Sequence, residues 1–321
     1  MAELMTKLWL SYNYIFDELA DERTKKLFLA GRPLPLVVLL GFYLMFVLKW
    51  GPLWMKKRAP FNLEKVIMLY NAAQVVSCAY TFVNGLRLGW GWHYKWVCEP
   101  VDFSNSSRAL EVAHLVYFYF ILKIVDLMDT IFFILRKKFN QVTFLHVYHH
   151  TGMALLIWGA VTYYPGGHGT LVGVINSFVH VVMYSYYFLT VAFPSMKRTS
   201  WWKKYITQLQ ILQFLFTIIH MCSIIFKPDC AYPRWIALVF LPQNVFMLVL
   251  FIDFYINVYV RKPKAIVKPR IMEVGSNNLS RVEEDKKVNE DEATFESAMK
   301  KRKNILDLII KDKIVLQSSD L

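Results

Sequence analysis

The sequence is poor in charge. Of its 321 residues only 19% are Asp, Glu, Lys or Arg, against 56% hydrophobic, which is less charge than a soluble domain of this length carries. That excludes an ordinary soluble globular protein and favours a polytopic membrane protein with one membrane domain. No cleavable signal peptide is expected, because the first 30 residues are amphipathic, mixed in sign and without an apolar core segment. No internal repeat is visible. Acidic residues are the minority, 24 against 37 basic. The resulting charge of +13 does not mark a nucleic-acid binder, because the basic residues fall in short clusters between apolar stretches. Clusters of that kind are the signature of cytosolic loops.

What is abundant is apolar sequence in runs of membrane-spanning length. Seven spans are predicted, at about 32–54, 64–86, 112–135, 142–163, 169–191, 205–226 and 234–259, each near the roughly 20 residues a helix needs to cross the hydrocarbon. The 10 Trp and 18 Tyr suit interfacial anchoring. Tyr163-Tyr164-Pro165-Gly166-Gly167 separates spans four and five, and Lys227-Pro228-Asp229 stops span six. The expected fold is therefore all-α: an N-terminal segment 1–31, a seven-helix membrane domain 32–262, and a charged tail 263–321 expected to be mostly disordered.

Orientation follows from the charge between spans. One set of loops holds Lys56, Lys57, Arg58 and Lys65, then Arg136, Lys137 and Lys138, then Lys197, Arg198, Lys203 and Lys204, then Arg261 onward. The opposite set holds only Arg87, Lys95, Arg108, Lys227 and Arg234. The basic side is read as the cytosol, which puts the N-terminus in the lumen and the tail in the cytosol. Asn105-Ser106-Ser107 then forms a glycosylation sequon in a luminal loop, with Asn105 as acceptor. Cys98 and Cys230 both fall on the oxidising side and are expected to be bridged, whereas Cys78 and Cys222 lie within spans as buried thiols.

Polar groups inside a membrane are costly and mark function by default. Span three carries Lys123, Asp126, Asp129 and Thr130; span four opens on His146, His149 and His150; span five holds Asn176, His180, Tyr184 and Tyr187; span six holds Thr207, Gln210 and Gln213. Lys123, Asp126 and Thr130 share one helical face by spacing, as do the three histidines of span four. These groups are expected to meet in one chamber open to the cytosol. Lys123 and Asp126 also admit a purely structural ion pair, and His114 and His220 suit hydrogen-bonded helix linkers.

Two chemistries compete for the histidines. Di-iron membrane desaturases and hydroxylases need several histidine boxes, but only four of the eight histidines can reach the chamber. Imidazole acid–base and nucleophilic catalysis needs no more than four, and no metal. A non-enzymatic seven-helix receptor or transporter would not need four histidines at one depth.

At these residues the chain resembles the very-long-chain fatty acid elongases, membrane 3-ketoacyl-CoA synthases. The resemblance rests on Lys123-Ile-Val-Asp126-Leu-Met-Asp129-Thr130 with Phe132-Phe133, on His146-Val-Tyr-His149-His150, on Asn176-Ser-Phe-Val-His180 with Tyr184 and Tyr187, and on Thr207-Gln-Leu-Gln210-Ile-Leu-Gln213, and it covers roughly residues 30–262. The main departure is Asp126, where many members carry Glu, and the tail lacks the terminal dilysine that some members use for retrieval to the endoplasmic reticulum. The resemblance implies a seven-helix enzyme of the endoplasmic reticulum membrane, with helices two to seven ringing an acyl tunnel. It implies condensation of a long-chain acyl-CoA with malonyl-CoA to 3-ketoacyl-CoA, carbon dioxide and CoA, with no bound cofactor.

On that reading His149 attacks the thioester, and His180 and His150 position malonyl-CoA. His146 and Asn176 orient ring nitrogens, and Asp129 and Lys123 fix tautomers. Asp126, Tyr184, Tyr187, Gln210 and Gln213 line the substrate site. No Gly-rich CoA loop is present, so Arg136, Lys137, Lys203 and Lys204 are the candidates to attract its phosphates, unless they are ordinary membrane anchors. Expected partners are membrane lipid and the reductases and dehydratase that complete the cycle. The oligomeric state is left open, a homodimer included, as are chain length and unsaturation preference.

Overall fold

A computed structural model describes residues 1–198 and 201–261. The expected disordered tail therefore lies outside the described residues. Within them every regular element is helical. An N-terminal helix α1 (Ala2–Asn13) precedes α2 (Leu34–Met55) and α3 (Glu64–Trp90). Then follow α4 (Ser107–Val125), the short α5 (Met128–Leu135), α6 (Phe144–Tyr163), α7 (Thr170–Ala192), α8 (Trp201–Phe226) and α9 (Arg234–Val260).

Five of these, α2, α3, α7, α8 and α9, are long and apolar enough to cross a membrane, which marks a multi-pass membrane protein. The two that fall short among the expected spans are α4, with Arg108, Glu111 and Lys123, and α6, with His146, His149 and His150. The helices that carry the chemistry have thus given up part of their apolar character to it.

Local sequence explains the helix ends. Ser106 caps α4 by accepting from the backbone of Ala109 at 3.2 Å, and Thr143 caps α6 by accepting from that of His146 at 3.2 Å. Between α6 and α7 the chain reverses at Gly167, whose φ of +66° is left-handed. A Cβ there would lie 2.8 Å from the Glu99 carbonyl oxygen, so only glycine fits.

The expected single span 112–135 is instead broken. Asp126 closes the last full turn on the Leu122 carbonyl, then Leu127 and Asp129 bond three residues back to Ile124 and Asp126. This tight turn separates Thr130 from the face of Lys123 and Asp126, so the three do not share the stripe their spacing suggested.

Helix α7 is the centre of the packing: 56% of its apolar window is buried, against 17% for α9. It packs chiefly on α3 and also on α8, while α9 packs on α8 and α4 on α6. Close approach of α3 to α7 needs Gly85, where a Cβ would meet Val174 at 2.4 Å. The N-terminal segment is fastened to the far end of α6 by Asp21 N–H to the Thr162 carbonyl at 2.7 Å and Thr24 hydroxyl to that of Val161 at 2.5 Å. At the same end a disulfide joins Cys98 to Cys230, with Cα atoms 5.8 Å apart. Cys78 is free and buried, and Cys222 is free and half-buried.

Candidate active site

The polar residues of α3, α4, α7 and α8 meet in the interior. Lys123 and Asp126, both almost fully buried, form an ion pair at 2.8 Å. The Lys123 ammonium also donates to Asn176 Oδ1 at 3.0 Å and lies over the Tyr119 ring, 4.8 Å from its centre. Tyr119 donates to the same Asn176 oxygen at 2.8 Å, and Asn176 Nδ2 donates to Gln213 at 3.4 Å.

On the other side of the ion pair, Asp126 Oδ1 accepts from Gln74 at 2.5 Å and from Tyr184 at 3.1 Å. Tyr184 is fully buried and reaches Asp129 Oδ2 at 2.8 Å as well, so one phenol bridges the two carboxylates. Gln74 is in turn 3.1 Å from the Tyr70 hydroxyl. A buried charge this well supplied with partners is held in one geometry.

The histidines stand beside this network. His180 is buried against the Tyr184 ring, with Nδ1 3.8 Å from Asp126 Oδ2 and no hydrogen-bond partner. His146 is held by Thr130 Oγ1 at 3.0 Å, and Thr130 by Tyr43 at 2.7 Å. The ring centres of His146 and His150 are 4.3 Å apart, and those of His149 and His150 5.5 Å. His149 and His150 are half-buried and make ring contacts, but no side-chain hydrogen bond among the described residues. Their nitrogens therefore keep their hydrogen-bonding capacity, whereas His146 Nε2 is engaged by Thr130. The described residues contain no group of three or more His, Cys, Asp or Glu side chains arranged to hold a metal ion.

Several expected contacts are replaced by others. Among the described residues Asp129, Lys123 and Asn176 make no hydrogen bond to a histidine. Their partners are Tyr184, Asp126, Tyr119 and Gln213, because buried charges and amides take the nearest complementary groups. Tyr184 is enclosed, while Tyr187 is 40% exposed beside it. Gln210 is half-buried against the Met183 sulfur at 3.7 Å. Arg136 and Lys137 are half-buried, Lys203 and Lys204 exposed, and none of the four is in an ion pair among the described residues. Asn105 is exposed just ahead of α4.

Sequence reasoning missed Gln74, Tyr70, Tyr119 and Tyr43. Gln74 had a signal, an amide that with Asn71 interrupts the middle of an apolar span. The three tyrosines had none, since tyrosine is common throughout this chain.

Below the network lies an apolar cavity of about 340 Å³. Its walls come from α3, α4, α6, α7, α8 and α9, and Tyr119 is the residue it shares with the polar network. It runs toward Tyr94, Tyr164, Tyr232 and Trp235 at the disulfide end.

Fold and site together define a multi-pass helical membrane protein with a histidine-lined polar site above an apolar cavity. Residues 28–266 match the model of the ELO (GNS1/SUR4) family, and the chain belongs to that family. It is similar to very long chain fatty acid elongase 7 of Drosophila melanogaster, 38% identical over 83% of this chain and 82% of that protein. Elongase 7 of Rattus norvegicus is 39% identical over 82% of this chain and 92% of its own length. Very long chain fatty acid elongase 4 of Homo sapiens is 38% identical over 82% of both.

Proposed function

We propose that the protein is an acyltransferase of fatty acid elongation that condenses a long-chain acyl-CoA with malonyl-CoA. The observation that carries this reading is the pair of half-buried imidazoles, His149 and His150, without side-chain hydrogen bonds among the described residues, on the same helix α6 whose later turns, from Leu155 on, line an apolar cavity. The family and the names of its relatives point to the same class.

The chemistry divides into two half-reactions. An imidazole nitrogen of His149 attacks the thioester carbonyl, the carbon–sulfur bond breaks, and CoA leaves as the thiol with the imidazole proton. Malonyl-CoA then loses carbon dioxide, and the electron pair released forms a carbon–carbon bond to the acyl carbonyl. The carbon–nitrogen bond breaks, and a proton taken up from solvent restores the neutral imidazole. On this reading His180 and His150 position malonyl-CoA and steady the developing enolate. The Lys123–Asp126–Tyr184–Asp129 network acts at one remove, as a rigid support that keeps His180 in place.

The acyl chain would lie in the apolar cavity, enclosed by α3, α4, α6, α7, α8 and α9. These correspond to spans two to seven of a seven-span chain, with α4 and α5 together forming span three. The basic cluster at Arg136 and Lys137 favours a cytosolic histidine end in the endoplasmic reticulum membrane, and the disulfide favours a luminal opposite end.

The test is condensation by purified protein in detergent with labelled malonyl-CoA and an acyl-CoA panel. Label should appear in 3-ketoacyl-CoA, and His149→Ala should abolish both product and any acyl adduct that survives denaturation. Retention of that adduct by His149→Ala would remove His149 from the nucleophile's role. Absence of product with every acyl-CoA would remove the condensation.

A further inference from the structure

The end of the cavity farthest from the histidines is built on the disulfide. Tyr232, two residues beyond Cys230, is buried and lines the cavity. Its hydroxyl lies 2.5 Å from where a Cβ on Gly169 would be, so it is seated against the turn that opens α7. Val172, Met221, Ile236 and Phe240 also line the cavity and belong to the same apolar cluster as Cys98 and Cys230.

Two further ties hold this floor. The Ser223 hydroxyl donates to the Val97 carbonyl at 2.8 Å, and the His168 backbone N–H to that of Glu99 at 2.8 Å. The His168 and His220 rings stack at 3.8 Å, each ring Nε2 close to the other residue's carbonyl oxygen, at 3.0 and 3.2 Å. Tyr164 and Trp235, edge to face at 5.7 Å, close the side between α6 and α9.

We propose that the Cys98–Cys230 bridge sets the upper limit of product chain length by holding Tyr232 across the end of the acyl cavity. The inference rests on the elongase reading above. A chain attached at His149 has about 21 Å of α6 to run along before Tyr163, at 1.5 Å per residue. Each cycle adds two carbons at the carbonyl end, so the methyl end advances toward the floor until it meets Tyr232. Helices in lipid gain no hydrophobic force from closing on one another, so packing alone would leave such a floor soft. A covalent tie across 132 residues of sequence fixes the loop that carries Tyr232 to the loop ahead of α4.

The experiment uses the full-length protein in detergent, malonyl-CoA and saturated acyl-CoAs of rising length, with products sized by mass spectrometry. The unaltered protein should stop at a definite length. Tyr232→Ala, and mild reduction of the folded unaltered protein, should each raise the rate on the next longer acyl-CoA at least about tenfold relative to the shorter one, the scale on which methylenes are discriminated. Gly159→Leu should move the limit the other way, because a Cβ there meets nothing within 4 Å and the residue lines the cavity.

A length limit unchanged in both Tyr232→Ala and the reduced protein, with shorter acyl-CoAs still condensed, overturns the inference and leaves the elongase reading standing. A shift with Tyr232→Ala but none on reduction assigns the limit to Tyr232 and removes the bridge from it. Condensation of no acyl-CoA by the unaltered protein overturns both.

Discussion

The two ends of the helical domain are held by opposite means. At the histidine end, side chains from α2, α3, α4, α5, α6 and α7 are joined by hydrogen bonds and one buried ion pair, and His149 and His150 are left with free nitrogens. At the disulfide end the ties are a covalent bridge, a stacked histidine pair and backbone hydrogen bonds between loops. Adaptability is kept at the histidine end. A polar network holds charge and orientation while leaving neighbouring groups reactive. A covalent, close-packed end resists being pushed open by a growing apolar chain.

The largest blow to the histidine end should come from Lys123→Met. It leaves Asp126 buried without its counter-charge, which costs about 3–5 kcal/mol. The thermal midpoint in detergent should fall sharply, and the double variant with Asp126→Asn should recover part of it. If Lys123→Met alone is harmless, the network is not what holds that end.

Gly167→Ala strikes the disulfide end. Its positive φ and the nearby Glu99 carbonyl predict a loss of about 1–3 kcal/mol. The drop in thermal midpoint should persist after reduction of the bridge, since backbone strain and the cross-link are independent.

The smallest effect is a pH dependence to which the disulfide end contributes through His168. Burial pushes the His168 imidazole below the usual histidine range, facing the His220 and Tyr232 rings. Above a pH of about 6.5 both folded and unfolded chains are neutral there, and its contribution is fully present. As pH falls below that, the unfolded chain gains a proton that the folded one refuses, so stability is lost. His168→Gln should make the acid side of a stability–pH profile less steep; an unchanged profile would assign the sensitivity elsewhere.

Much of this organisation was legible before any coordinate. The positions of the apolar helices, the stops at Tyr163 and Phe226, and the clustering of ionisable groups on spans three to five all follow from hydropathy and the cost of polar groups in lipid. The break at Asp126–Leu127 was not legible, because hydropathy continues smoothly across it while the hydrogen bonding changes. Nor were the partners of Asp129 and Asn176. Periodicity says which residues share a face of one helix, but not which tyrosine of another helix stands opposite.

Composition along the chain is enough to establish that it is helical and membrane-borne, and which histidines, carboxylates and cysteines are unusual. That Tyr184 bridges Asp126 and Asp129, that Gln74 and Tyr119 complete the network, and that Tyr232 meets Gly169 beside the disulfide emerges from the packing of the helices. Each of those depends on distances between helices far apart in sequence, set by how side chains of different size interlock.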